Sequence, residues 1–277
     1  MTRTLSHRDI LRNGARIALA RAALHTRRPK ALHDHDFFEL FWVQNGKVRH
    51  HLRDGSETLA EGDMVFLRPD QEHALQGVGE AALVVLIAIH PAVVEALAER
   101  HPQLSGQLFW GTSAPVTRHR DIRQLAQLNH TAVQLEHSAR DTLAAEAFLL
   151  PLCAGLLQAE PTAEIPDWLA AACRAAEDPA IFREGAAGLA AVTGKAHAHV
   201  SRMMRRHLGQ TPSDYINAIR MRHAARALVT DQESVSDIAT DCGIPNLSHF
   251  HKLFRESFGM TPLQYRQQLQ RGLIQPE

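Results

Sequence analysis

The sequence predicts an α+β protein, in which a small N-terminal β-barrel with flanking helices precedes an all-α domain. Residues 1–90 contain short apolar runs separated by turn signals, a pattern typical of strands. From residue 168 onward, apolar residues recur at helical spacing instead. Residues 161–167, with two prolines, separate these patterns and are typical of a linker. The length of 277 residues also favours two domains.

The barrel is expected over about residues 1–90. Apolar and aromatic residues indicate strands at 39–43 and 64–67, and a β-branched run indicates a buried strand at 83–89. Turns are predicted at three pairs that end in glycine: Asn45-Gly46, Asp54-Gly55 and Glu61-Gly62. Several short strands at this spacing favour a small barrel or a sandwich.

Three helices over about residues 92–159 complete a first domain of residues 1–160. A short helix is predicted at 93–100, and 121–135 and 142–157 carry apolar residues at helical spacing. Pro151 is expected to kink the last of them. The two longer helices can pack on the barrel or pair with a second copy of the chain. The sequence does not decide between these arrangements.

The second domain, residues 168–277, contains one supersecondary unit twice. After a shift of fifty positions, Gly209, Thr211, Pro212 and Tyr215 again fall on Gly, Thr, Pro and Tyr. An apolar stripe before each glycine recurs as well: Val200, Met203, Met204 and Leu208, then Phe250, Leu253, Phe254 and Phe258. Such a match indicates a duplicated unit. The predicted helices cover 168–176, 185–192, 196–208, 212–229, 236–241, 247–257 and 262–270.

In each unit a short helix, a glycine turn and a second helix give the helix-turn-helix pattern. The apolar stripe must face a core, which fixes the outward side of the second helix. The outward residues are small, polar or basic, which suits a major groove and its phosphates. They are the predicted DNA-binding residues: Ala198, Ser201, Arg202 and Arg205 in the first unit, and Ser248, His251, Lys252 and Arg255 in the second.

The connection between the units supports this interpretation. Thr211-Pro212 and Thr261-Pro262 are helix-start signals, and Gln264 completes a capping box that Asp214 completes only approximately. A helix over 212–229 spans about 27 Å, close to the ~34 Å between successive major-groove faces of B-DNA. One chain can therefore place both second helices on one side of a duplex.

Charge and cysteine usage narrow the function further. The net charge is zero, but residues 195–226 hold seven Lys or Arg and one acid, Asp214. Such a run attracts a polyanion, although a charge run alone is more often a solvated helix face. The three cysteines are far apart among apolar residues, so we expect buried thiols in a reducing compartment. The first thirty residues lack an apolar signal core and the run 81–89 is too short for a membrane span, which predicts a cytoplasmic protein.

A possible ligand set for a metal lies near the N-terminus. His33, His35 and Glu39 fall as H-x-H-x-x-x-E, and His73 follows Gly62 by eleven residues. The His pair shares one strand face, and a third His from a paired strand would complete a site for a divalent metal such as Zn, Ni, Fe or Mn. The alternative is a set of hydrogen-bonded core histidines without a metal.

Residues 32–73 resemble the two cupin motifs. The first motif matches at every defining position, whereas the second lacks the usual glycine two residues after Pro69. The resemblance implies a cupin-like domain that senses a small molecule, with His33, His35, Glu39 and His73 as metal ligands. A metal there would orient a ligand instead of catalysing a reaction.

Residues 168–270 resemble the DNA-binding domain of the AraC/XylS family of transcription regulators. The stretch "DIATDCGIPNLSHFHKLFRESFGMTPLQYR" carries the match, whereas the first unit departs from the pattern at Met204 and in the turn "GKAHAH". Together with the cupin-like domain, the resemblance implies a two-domain, sugar-sensing regulator that acts as a homodimer and can contact RNA polymerase. "HDFFELFWV" and "TPSDYINAIRMRHA" are most similar to regulators of chitobiose-type operons.

Three functions are therefore weighed. The favoured one is a ligand-responsive transcription regulator without enzymatic activity. The main rival is a metal-dependent cupin dioxygenase or isomerase with an appended helical domain, but no acid or base is identified near the metal ligands beyond Glu72. The third is an architectural DNA-binding protein that has no effector.

Overall fold

The computed structural model describes residues 3–111, 114–158, 165–230 and 232–271 and confirms the predicted α+β fold. The strands are β1 (Arg3–Leu5), β2 (Ile17–Leu24), β3 (His33–His35), β4 (Phe38–Leu52), β5 (Gly55–Ala60), β6 (Asp63–Leu67), β7 (His73–Ile89) and β8 (Val116–His119). The helices are α1 (His7–Ile10), α2 (Pro91–Arg100), α3 (Ile122–Glu136), α4 (Thr142–Leu157), α5 (Asp167–Ala175), α6 (Pro179–Phe182), α7 (Gly185–Thr193), α8 (His197–Leu208), α9 (Pro212–Thr230), α10 (Val235–Asp241), α11 (Leu247–Phe258) and α12 (Pro262–Arg271).

The chain divides into two compact units. Among the described residues, one comprises 3–111, 114–121 and 131–158, and the other comprises 122–130, 165–230 and 232–270. Of the predicted linker 161–167, residues 161–164 lie outside the described residues, and α5 begins at Asp167. The predicted domain boundaries stay a prediction. Among the described residues, no helix is both long and apolar enough to span a membrane.

The first unit is built on a curled sheet around two long strands. β4 and β7 pair in antiparallel register from Phe38 opposite Ile89 to Leu52 opposite His73. The sheet order is β1-β3-β7-β4-β6-β8, with β2 also on β7 and β5 also on β4. One face of this sheet, called the inner face below, carries the buried cluster Leu24, Phe41, Val43, Val48, Leu59, Val65, Leu67, Leu75, Ala82 and Val84. The strands predicted at 39–43, 64–67 and 83–89 all belong to it.

The predicted turn at Asn45-Gly46 is wrong. Both residues lie inside β4, where the pairing with β7 shifts register between Val43 and Lys47 and Gly46 has φ +82°. A glycine with positive φ allows a β-bulge, which bends a strand without ending it. β4 therefore continues for 15 residues. The turns predicted before Gly55 and around Gly62 are present.

Helices of the first unit follow the predicted pattern. α2 buries Val93, Val94 and Leu97, and α4 buries Phe148, Leu149 and Leu152 with two smaller side chains. α4 continues through Pro151, which lies inside the helix and is exposed. The strand β2, for which the sequence analysis predicts no element, pairs with β7 along its whole length.

The second unit is entirely helical in its described part. A first core gathers residues of α5 to α9 around Leu169, Phe182, Leu189, Val200 and Met204. A second core contains an aromatic group in which Tyr265 lies 5.3 Å from Phe254 and 5.1 Å from Phe258, measured between ring centroids. The helix α9 contacts α7 and α8 of the first repeat and α10 and α11 of the second repeat. It therefore connects the two cores.

Candidate nucleic-acid interface and buried polar cluster

The second helix of each repeat, α8 or α11, turns its apolar stripe into a core. Val200 and Met204 on α8 are fully buried, as are Phe250 and Phe254 on α11. Each helix ends at a glycine in the left-handed region, Gly209 or Gly259, so the apolar stripe stops at the same point in both repeats. The local pattern thus fixes which side of each helix faces outward.

The residues predicted to bind DNA lie on that outward side. Ser201 and His251 are half-buried, whereas the other six predicted residues are exposed: Ala198, Arg202, Arg205, Ser248, Lys252 and Arg255. On α11, four of them line one open groove with Leu247, Glu256 and His130. Lys252 Nζ lies 3.9 Å from Glu256 Oε1, a contact between exposed side chains that leaves the ammonium close to solvent.

The turn that precedes each outward helix is a tight glycine turn. Gly194 has φ +60° between α7 and α8, and Gly243 has φ +73° between α10 and α11. A Cβ on Gly243 would lie 2.7 Å from the carbonyl oxygen of Arg183, so the second turn also requires glycine for space. Asn246 caps α11 by accepting a hydrogen bond from the backbone N–H of His249 at 3.0 Å.

The connection after each outward helix is held by a reciprocal capping box. Thr261 N–H donates to Gln264 Oε1 at 2.9 Å, and Gln264 N–H donates to Thr261 Oγ1 at 3.3 Å. Thr211 and Asp214 make the same pair of bonds at 3.3 and 3.2 Å. The box at Asp214, which the sequence predicts only approximately, is therefore complete. It starts α9, whose 19 residues span about 28 Å.

The basic run over 195–226 is partly structural. Arg220 donates to the carbonyl oxygens of Phe182 and Arg183, each at 2.8 Å, and its burial lowers the pKa of the guanidinium. Arg222 pairs with Glu177. The surface available to phosphates is thus narrower than the sequence suggests. Residue spacing does not identify these bonds, because the acceptors are the carbonyl oxygens of the last residue of α6 and of the residue after it, and the sequence predicts no helix there.

A cluster of buried ionisable side chains lies in the first unit. His35, Glu39 and His73 place one donor atom each within 4.8 Å of the others. His35 Nε2 is 3.7 Å and His73 Nε2 4.0 Å from Glu39 Oε2. Two donors that each bind one metal ion at about 2.1 Å are at most about 4.2 Å apart, so both separations suit a shared ion. The fourth predicted ligand, His33, lies beside His73 with ring centroids 4.5 Å apart but is outside this triad.

His50 also lies beside this cluster, outside the triad. It is fully buried, and its ring centroid lies 5.5 Å from that of His73. Residue spacing does not select His50, because residues 39 and 50 are an odd number of positions apart and a regular strand would place them on opposite faces. The only sequence signal is Asn45-Gly46 between them, which permits a bulge.

The cluster is buried, so a polar atom in it that lacks a hydrogen-bond partner is energetically unfavourable. Burial raises the pKa of Glu39 to about 8, lowers that of His35 to about 4 and lowers that of His73 well below its usual value. Among the described residues, five of its buried atoms have no hydrogen-bond partner: His35 Nε2, Glu39 Oε1, His50 Nε2, His73 Nδ1 and His73 Nε2. Each such atom costs about 1–3 kcal/mol, which is large against a typical stability of about 5–15 kcal/mol. The donor set therefore fits a bound cation.

Two family models match this chain: residues 16–152 match the AraC-like ligand binding domain, and residues 189–268 match a helix-turn-helix domain. The chain is similar to the HTH-type transcriptional activator RhaS of Pectobacterium atrosepticum, with 26% identity over 248 residues, 85% of this chain and 87% of that protein. RhaS of Escherichia fergusonii is 28% identical over 253 residues, with the same two shares. Among solved structures, ToxT from Vibrio cholerae O395 aligns over 92% of this chain and 99% of its own, with 13% identity and a TM-score of 0.38.

Proposed function

The chain belongs to the AraC family of transcription regulators and carries an N-terminal ligand-binding domain, and from that premise we propose that α8 and α11 enter successive major grooves of one operator. The observation that carries this proposal is the matched orientation of the two helices. Both bury an apolar stripe in a core and turn small, polar and basic residues outward. The connecting helix α9 has a length that suits one turn of B-DNA.

We assign DNA affinity and base specificity to different residues of the outward helices. The four outward cations, Arg202, Arg205, Lys252 and Arg255, supply contacts to phosphates and to base edges. Ser201, Ser248, Ala198 and His251 tune which bases are accepted. Because Ser201 and Arg202 of α8 correspond to His251 and Lys252 of α11, the two helices recognise different half-sites. The operator is therefore non-palindromic within the site of one chain.

The effector is inferred to be a sugar or a sugar derivative. The support is the likeness of the first unit to cupin-like sensing domains and the buried polar cluster on its sheet, which suits a polar ligand. A sugar that binds the native state raises the melting temperature by mass action. A library of sugars that leaves the melting temperature unchanged would remove this part of the proposal. The chitobiose-operon subgroup stays a prediction.

A divalent metal is proposed at the buried cluster, held by His35, Glu39 and His73. His33, the fourth ligand that the sequence predicts, lies beside His73 but outside this triad. A metal there would act as a Lewis acid toward a polar group of the effector. The relatives are transcription activators, which supports a role in ligand binding and not in catalysis. We therefore favour a regulator over the cupin enzyme.

Dimerisation through α4 is a further part of the proposal. Leu143, Ala147, Pro151 and Ala154 form an exposed stripe of apolar and small residues at helical spacing, and Leu143 is 75% exposed. A second copy of the chain would cover it. Light scattering on Leu143→Asp is expected to give a monomer where the wild-type chain gives a dimer, and a wild-type monomer would contradict it. Contact with RNA polymerase and a cytoplasmic location stay predictions.

The DNA-binding assignment is tested by measuring affinity for the gene's own upstream region across salt concentrations. Arg202→Ala and Lys252→Ala each remove one exposed cation from an outward helix. If the lost contact is to a phosphate, binding weakens on all sequences and the slope of log affinity against log salt falls by about 0.9. If it is to a base edge, the loss is about 1–3 kcal/mol and is specific to one position of the site.

The matched control is Arg174→Ala, which removes an exposed cation from α5 and not from an outward helix. It should leave both affinity and salt slope near the wild-type values. Equal behaviour of all three variants would show that only net charge matters, and would contradict the assignment of α8 and α11.

A further inference from the structure

We propose that His50 is a ligand of the metal ion at the buried cluster, and that Glu57 orients its ring. This inference rests on the proposed metal site and adds to it a ligand outside the predicted set. His50 lies on β4 eleven residues after Glu39, and Glu57 lies on the neighbouring strand β5.

The bulge in β4 brings His50 to the inner face of the sheet. Phe41, Val43 and Val48 all belong to the cluster on that face, although 43 and 48 are an odd number of positions apart. The register shifts between Val43 and Lys47 account for this change of parity. Leu52 lies opposite His73, so His50, two positions before Leu52, shares a face with His73.

Hydrogen bonds fix His50 in the tautomer that a metal ligand needs. Its Nδ1 lies 2.9 Å from Glu57 Oε1, so the ring N–H donates to that carboxylate. Its Nε2 is then an acceptor, and it is buried without a hydrogen-bond partner in the described chain. His35 shows the same arrangement, with Nδ1 2.7 Å from the carbonyl oxygen of Phe37 and Nε2 without a hydrogen-bond partner among the described residues. A second nitrogen held by a carboxylate or carbonyl is the usual outer shell of a metal-binding His.

Burial and a fixed tautomer favour His50 over His33 as the further ligand, although the ring centroid of His33 is closer to that of His73 (4.5 against 5.5 Å). His50 is fully buried, whereas His33 is half-buried. Phe41 lies edge-on to His50 with ring centroids 5.2 Å apart and encloses it on the sheet. A site of imidazoles and one carboxylate selects a first-row transition metal over calcium or magnesium, which prefer oxygen ligands.

The test is a titration of chelator-treated full-length protein with Co²⁺ alone, followed by visible absorption and by competition for affinity. His50→Phe removes the ligand nitrogen but keeps an aromatic ring beside Phe41. It is expected to lower affinity by more than the roughly 10–100-fold that loss of an outer-shell partner costs, and to change the cobalt spectrum because the number of ligands changes. Glu57→Ala is expected to lose about 10–100-fold with the wild-type spectrum retained.

The matched control is His51→Phe. His51 is the next residue on β4, half-buried, and its Nε2 bonds Gln76 Oε1 at 2.8 Å and not the cluster. Wild-type affinity and spectrum are expected for this variant. His33→Phe is expected to resemble His51→Phe, and a loss there equal to that of His50→Phe would overturn the choice between the two histidines.

The outcomes separate the two proposals. No cobalt binding by the wild-type chain overturns the metal site and His50 with it. Binding that is lost in His35→Phe but unchanged in His50→Phe keeps the metal site and overturns the role of His50. If His50→Phe does not fold, the imidazole nitrogens of ¹⁵N-labelled wild-type protein are observed during zinc titration. His50 Nε2 is then expected to shift, and an unmoved resonance overturns the inference.

Discussion

Cys153 and His73 are both buried in the first unit, but burial costs little free energy for the thiol and much more for the imidazole. Cys153 on α4 is 2% exposed, and a thiol is a weak hydrogen-bonding group that packs like a small apolar side chain. His73 is 1% exposed, and neither of its ring nitrogens has a hydrogen-bond partner among the described residues. An imidazole in this position is costly unless something binds it. The first residue serves packing and the second indicates a binding site.

The burial of two cysteines leads to a testable prediction about the reactivity of their thiols. Burial raises the pKa of Cys153 to about 12 and that of Cys242 to about 11. Alkylation requires the thiolate, whose fraction at pH 8 is then on the order of one part in a thousand or less. Iodoacetamide at pH 8 should leave both residues unmodified in the native protein and label both in urea, as read by peptide mass spectrometry. Rapid labelling of Cys153 without urea would contradict its burial.

The elements differ in how well local sequence determines them. Each outward helix, α8 or α11, is bounded by signals that act within a few residues: a glycine turn before it, a glycine cap after it, and a Thr-Pro start for the next helix. The strands are determined by partners far along the chain. Ile17–Leu24 is rich in alanine and shows little strand preference, yet it pairs with β7 over all eight residues. The helices α8 and α11 were therefore predictable and the strand β2 was not.

Alanine substitutions at two turn glycines test how strongly each helix-turn-helix turn requires a glycine. Gly194 and Gly243 both adopt positive φ, but only a Cβ on Gly243 would meet backbone, 2.7 Å from Arg183 O. Gly194→Ala should cost about 1–2 kcal/mol of unfolding free energy from the left-handed backbone alone. Gly243→Ala should cost about 1–3 kcal/mol more, because the clash adds strain. Urea unfolding measures both, and equal losses would show that Arg183 moves away without cost.

In the candidate sites too, residues placed by local helix geometry were predicted from sequence, whereas a residue placed by strand pairing was not. Residues of the outward faces were identified from helical spacing, because a helix of fixed period determines its faces by itself. Three of the four predicted metal ligands, His35, Glu39 and His73, converge in the structure. His50 was missed because the bulge at Asn45-Gly46, first interpreted as a turn, changes which residues of β4 face inward. A one-residue shift of that kind is set by pairing with β7, which local sequence does not contain.

At the scale of the whole molecule, the two units divide the work of a regulator. The match to a ligand-binding domain contains the buried cluster, and the match to a helix-turn-helix domain contains all eight outward residues. The second unit carries the outward helix twice, as α8 and α11, and these are the two surfaces proposed to bind DNA. Effector binding and operator binding are thus assigned to different parts of the sequence, and each can be tested without altering the other.

The most direct test of this account is hydroxyl-radical footprinting of the full-length protein on its gene's upstream region. The account predicts two protected patches per bound chain, on one face of the duplex and about 10–10.5 base pairs apart. Arg202→Ala should weaken one patch and Lys252→Ala the other. A single patch per chain, or the loss of both patches together in each variant, would contradict the claim that α8 and α11 bind successive major grooves.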